Sequence, residues 1–77
     1  LLGQGRDADA EAAARRAAEA SPDLAKAHNN LGVALARQGR GEEAAASFRE
    51  AIRRDPEALD AYRNLAMELV RLGRLGE

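Results

Sequence analysis

The sequence predicts an all-α fold of four antiparallel helices, built from helix–turn–helix repeats. Three observations predict it. An offset of 34 residues brings 17 of the 43 overlapping positions into identity; chance gives about five, and a fixed period in this range marks a repeat architecture. Apolar residues recur at helical spacing within each segment between breaks. The breakers themselves keep the period: Gly5, Gly39 and Gly73, and Pro22 and Pro56, residue types that close or interrupt helices. Nineteen alanines and eleven arginines add helix propensity throughout.

The elements follow in chain order. Residues 1–5 read as the last turn of a helix, closed by Gly5 in a left-handed C-cap. Asp7 or Asp9 is then placed to cap a helix over about Ala8 to Ala20, with Ala10, Ala13, Ala14 and Ala17 toward the core. These methyl groups offer thin contacts, so this element is expected to be the most weakly held. Ser21-Pro22-Asp23 breaks the chain.

The next helix spans about Leu24 to Gln38, with Ala27, Leu31, Ala34, Leu35 and Gln38 on one face. Gly32 lies beside that face. A mid-helix glycine costs about 1 kcal/mol relative to Ala, so close approach of a partner helix explains it. A third helix covers about Gly41 to Arg54, with Ala44, Ala45, Phe48, Ala51 and Ile52 at helical spacing. Phe48 is the only phenylalanine and the largest expected core contributor. Asp55-Pro56 repeats the break. The fourth helix, about Ala58 to Leu72, places Ala61, Leu65, Ala66, Leu69 and Leu72 on one side before Gly73 stops it.

Composition excludes several functions. The formal net charge of −1 gives no global attraction to nucleic acid or to an anionic membrane. With no cysteine, disulfides and thiolate metal sites are ruled out. No apolar run approaches the length of a membrane span, and the amino terminus lacks a signal pattern, so the expected location is cytoplasmic. Gly39-Arg40-Gly41 lacks the Lys-Ser/Thr of a phosphate-cradling loop. Neither the carboxylates nor Ser47 has partners for acid–base or nucleophilic chemistry. His28 has no second His or Cys beside it and aligns with Tyr62 at the 34-residue offset, so it is expected to pack in the core. No cofactor, metal or enzymatic activity is therefore expected. The preference for Arg over Lys suits a GC-rich bacterial genome.

The unit His28-x-x-Leu31-Gly32-x-x-Leu35, then Ala44-x-x-x-Phe48, then Ala51 and Pro56, resembles the tetratricopeptide repeat. The following unit matches through Tyr62, Leu65, Ala66 and Leu69. The preceding half-unit matches through Ala10, Ala17 and Pro22 but has Ala14 in place of an aromatic. On this resemblance, residues 23–56 form a complete repeat. Residues 1–22 are then the second helix of a partial repeat and 57–77 the first helix of another, so that the chain is expected to be a piece of a longer array.

The resemblance implies a right-handed superhelix whose first helices line a concave groove for an extended peptide or a helix of a partner. The groove residues it implies are Lys26, Asn29, Asn30, Val33 and Arg37 on one helix, and Arg63, Asn64, Met67 and Arg71, with Asp60, on the other. Repeats of this subtype, with NNLGVAL followed by RNLAMEL, resemble those of O-linked N-acetylglucosamine transferases and many bacterial relatives. There, stacked asparagines bond to peptide backbone. A carboxamide donates and accepts at once, which suits a peptide group of any sequence. Asn30 and Asn64 hold equivalent places; they can serve as such a ladder or bond to neighbouring backbone within the array. The cations Lys26, Arg37, Arg63 and Arg71 favour acidic ligands or form a solvated face. The carboxylate clamp of chaperone-binding repeats needs Lys followed one turn later by Asn; Asn29/Val33 and Arg63/Met67 fail that pattern.

The leading expectation is thus a protein–protein interaction scaffold with a peptide groove. Self-association through terminal helices, using Leu69, Val70, Leu72 and Leu75, is the alternative. A substrate-recruiting arm of a larger enzyme is a third.

Overall fold

The computed structural model describes residues 2–20 and 24–73, with side chains from residue 8 onward. It contains four α-helices: α1 (Leu2–Ala20), α2 (Ala25–Arg37), α3 (Gly41–Arg54) and α4 (Leu59–Arg71). Each helix packs on the next, and α2 also touches α4 directly. The thinnest dimension of the Cα trace, 15 Å, matches two helix layers about 8–10 Å apart. The helix–turn–helix repeat read from the sequence is the architecture.

The core lies between α2 and α3. Leu31 and Leu35 from α2 meet Ala44 and Phe48 from α3, with Ala14 of α1 joining them. Phe48 is 2% exposed. A Cβ at Gly32 would stand 2.4 Å from Phe48 Cε1, so the ring occupies the space that any side chain would need. The mid-helix glycine is explained by this contact.

The α2–α3 turn is closed by the chemistry of its residues. Gly39 adopts φ +77; its N–H donates to the Ala36 carbonyl at 3.0 Å, and the Arg40 N–H donates to the Leu35 carbonyl at 3.0 Å. This is the Schellman arrangement that a left-handed glycine permits. Gly73 has φ +74, and its N–H donates to the Val70 carbonyl at 3.0 Å at the end of α4. At the other turn, Asp55 Oδ1 accepts from the Glu57 N–H at 3.0 Å, an Asx turn leading into α4.

Several expectations are corrected. Gly5 marks no bend: α1 runs unbroken from Leu2 to Ala20, so neither Asp7 nor Asp9 caps a helix start. Extending an existing helix adds a hydrogen bond per residue without a new nucleus. The core face of α1 is also rotated. Ala14 and Ala18 are buried, whereas Ala10, Ala13 and Ala17 are exposed. Methyl groups give little bulk to fix a rotation, and polar bonds set it instead.

Those bonds centre on Glu11. Its carboxylate accepts from Arg15 at 2.7 Å, from Gln38 Nε2 at 2.8 Å and from Arg40 at 2.8 Å. Arg40 in turn grips Glu43 through two bonds of 3.0 and 2.7 Å. Bonds from Arg15 and then Gln38, with the charge of Arg40, hold the Glu11 carboxyl down at about 2. Gln38, expected in the core, is half-buried and works as the amide that clasps α1 to the α2–α3 turn.

In α4, Ala61 is buried while Leu65, Leu69 and Leu72 are half-buried and Ala66 is exposed. Tyr62 is 47% exposed and His28 half-buried, so neither is the enclosed packing aromatic that its place in the repeat suggested. No described helix covers the flank of α4 that carries Tyr62. The Ser21-Pro22-Asp23 break and Leu75 lie outside the described residues.

Candidate functional site

The helices α2 and α4 run side by side and form a furrow. Asn64 Nδ2 donates to Asn29 Oδ1 at 3.0 Å across it. Both residues are half-buried. The bond ties the two helices together and, among the described residues, leaves Asn29 Nδ2 and Asn64 Oδ1 without a partner, one donor group and one acceptor side by side. Asn30, the period-equivalent of Asn64, is exposed and has no hydrogen-bond partner among the described residues. The partner of Asn64 within the fold is therefore Asn29.

The Asn29–Asn64 bond divides the furrow into two parts. At the amino-terminal ends of α2 and α4 lies a cleft of about 470 Å³, bordered by Lys26, Asn29, Asn30, Asp55, Glu57 and Asp60. At the carboxy-terminal ends lies a smaller pocket of about 150 Å³. Val33, Ala36, Phe48 and Met67 supply its apolar surface, and Arg37, Asn64, Glu68 and Arg71 its polar surface. A third cleft, about 440 Å³ between α1 and α2, is walled by the alanines of α1 with Asn30, Val33 and Arg37. Asn30 thus borders both wide clefts.

The charged residues behave differently at the two ends. Arg63 meets Asp60 at 3.3 Å with both side chains more than two-thirds exposed, a pair that contributes little in water. Arg71 meets Glu68 at 3.3 Å. Arg37 is exposed with no carboxylate partner among the described residues. Of the residues implied by sequence, Lys26, Asn29 and Asn30 gather in the first cleft and Val33, Arg37, Asn64, Met67 and Arg71 in the second. Arg63 lines neither.

Sequence reasoning missed Glu68, which is 4% exposed. It sits in the apolar arc of α4, where a carboxylate is costly unless partnered. Arg71 supplies a partner, and Gly41 supplies room: a Cβ there would stand 2.7 Å from Glu68 Oε2. The i, i+3 spacing of Glu68 and Arg71 was the available signal. Asp55 and Glu57 were also missed, because they belong to the turn and not to a periodic helix face.

Among the described residues no group of acidic or histidine side chains is placed to hold a metal ion, and no helix is long and apolar enough to cross a membrane. No curated protein and no solved structure matches the chain. A family model described as tetratricopeptide repeat matches residues 1–58 and again residues 39–77. Between them the two matches span the whole sequence, and the chain belongs to the tetratricopeptide repeat family.

Proposed function

We propose that the chain is a binding module, without catalysis of its own, that receives an extended segment of a partner protein along the α2–α4 furrow. Repeats of this family generally mediate protein–protein interaction. The observation that carries the finer reading is the half-buried Asn29–Asn64 pair with Asn30 unpartnered beside it. Together they offer donors and acceptors at the spacing of neighbouring helices, the chemistry by which a carboxamide reads peptide backbone. The likeness to the asparagine-bearing repeats of O-linked N-acetylglucosamine transferases supports the same reading. In this account residues 23–56 are one whole repeat, flanked by half-repeats at 1–22 and 57–77.

The test uses a peptide selected on the protein from a random nonapeptide library and titrated by fluorescence anisotropy. Replacing Asn30 and Asn64 together with Ala removes about two partly desolvated hydrogen bonds. Affinity should fall by about 1–3 kcal/mol, roughly 5- to 150-fold. Unchanged affinity rejects the asparagine assignment.

A second reading, self-association through α4, is favoured by a separate observation. Leu59, Tyr62 and Val70 are 77%, 47% and 55% exposed on the flank of α4 away from the core. Sedimentation velocity decides it, and it can coexist with peptide binding because Tyr62 and Val70 line neither cleft of the furrow.

A further inference from the structure

Resting on the peptide-binding reading above, the geometry points to a specific occupant. We infer that the furrow takes an internal peptide segment with a carboxylate side chain next to an apolar side chain at one end, and a basic side chain about five residues away.

The carboxy-terminal pocket sets the first half of this pattern. Its volume of about 150 Å³ equals that of a cavity that accepts benzene, so one Leu, Met or Phe side chain fills it. Val33, Ala36, Phe48 and Met67 supply the apolar wall. Arg37 beside it has no carboxylate partner among the described residues. Among the described residues Arg71 has only Glu68, whose side chain is 6% exposed against 58% for Arg71; the guanidinium therefore extends into solvent beyond its partner. With two cations and one anion, this end is formally positive.

The amino-terminal cleft is the reverse. Asp55, Glu57 and Asp60 outnumber Lys26 there, and the exposed Arg63 draws on Asp60 alone. Lys26 and Arg37 are eleven residues apart on α2, about 16 Å at 1.5 Å per residue. An extended chain covers that distance in about five residues at roughly 3.3 Å each. The separation exceeds the screening length of about 8 Å at physiological salt, so each end reads its own charge. Between them the Asn29–Asn64 pair meets backbone. A free terminal carboxylate is captured by nests of backbone N–H groups or by a Lys–Asn clamp, whose pattern Asn29/Val33 and Arg63/Met67 lack. The carboxy-terminal ends of α2 and α4 present carbonyls instead, so a side-chain carboxylate facing the guanidiniums is the better fit.

The test is selection on the full chain from a random nonapeptide library blocked at both ends, followed by titration of one selected peptide. We expect an acidic residue adjacent to an apolar one, with Lys or Arg four to six positions away, in either chain direction. Changing the selected peptide's acidic residue to its amide should weaken binding about fivefold. Arg37→Glu should remove that sensitivity and favour a Lys in the same position. Arg37→Gln serves if circular dichroism shows Arg37→Glu unfolded, and should remove the sensitivity alone. Peptides that depend on Asn30 and Asn64 but carry no charge order overturn this inference and leave the binding reading intact. Recovery of binders only when the peptide carboxy terminus is free also overturns it. Absence of any binder overturns both.

Discussion

Gly32 and Phe48 decide how closely α2 and α3 lie. An added Cβ at Gly32 would stand 2.4, 2.6 and 2.9 Å from three atoms of the Phe48 ring. Gly32→Ala gains up to about 1 kcal/mol of helix propensity, but overpacking a full core costs about 1–3 kcal/mol. The second effect wins because the ring is enclosed and cannot swing into solvent. The melting temperature should fall, and pairing the change with Phe48→Leu should recover part of the loss. Gly39→Ala makes an informative contrast. Nothing lies within 4 Å of its added Cβ, yet φ is +77, so the cost of about 1–2 kcal/mol comes from backbone strain. Phe48→Leu should not recover it. If both glycine variants respond equally to Phe48→Leu, the close-approach account of Gly32 is wrong. At this scale the sequence was informative: a glycine inside a helical pattern signals a near neighbour. That the neighbour is the Phe48 ring depends on how the repeat closes, which no local pattern encodes.

At the scale of elements, α1 is the helix whose position depends on charge. Only Ala14 and Ala18 bury apolar surface among its described side chains, while Glu11 joins Arg15, Gln38 and Arg40, with Glu43 beyond. The Glu11 carboxyl is held at about 2 against an ordinary 4.5. A depressed carboxyl stabilises the fold fully above its unfolded value, and that contribution is lost as pH falls from about 5 toward 2. Glu43 and Glu50 are also lowered, by bonds from Arg40 and from Arg53 then Arg54; the Glu50 pairs lie within α3 and act locally. Glu11→Gln should therefore flatten the fall in melting temperature between pH 5 and 2 and loosen α1 above pH 5. Hydrogen exchange should show faster α1 amides in the variant at pH 7. Equal pH slopes in variant and parent would remove Glu11 from the account. Helix existence and type were legible here, since α3 matches its sequence reading at Gly41 and Arg54. The bend at Gly5 and the rotation of α1 were not. An alanine-rich helix shows nearly the same face in every rotation, so Glu11 and Gln38, 27 residues apart in sequence, set what periodicity could not.

For the whole molecule, the two outer flanks differ. Asp9, Arg16 and Glu19 are exposed along α1, whereas α4 exposes Leu59, Tyr62, Ala66 and Val70 with Leu69 at their edge. The period made the repeat legible from sequence, and the family resemblance, not the period, supplied the expected groove residues on α2 and α4. The polarity of the furrow did not, because Asp55 and Glu57 reach it from a turn and Glu68 from the core arc. The unequal flanks also constrain association. A head-to-tail contact would place the apolar flank of α4 on the polar flank of α1 and would repeat without closing. An α4-to-α4 contact buries apolar surface on both sides and closes as a symmetric pair. Self-association should thus stop at a dimer in sedimentation velocity as concentration rises. Tyr62→Lys with Val70→Lys should return it to monomer without changing affinity for a groove-bound peptide, since neither residue lines the furrow. A parent that stays monomeric at high concentration, or larger species that keep growing, rejects the α4 pair.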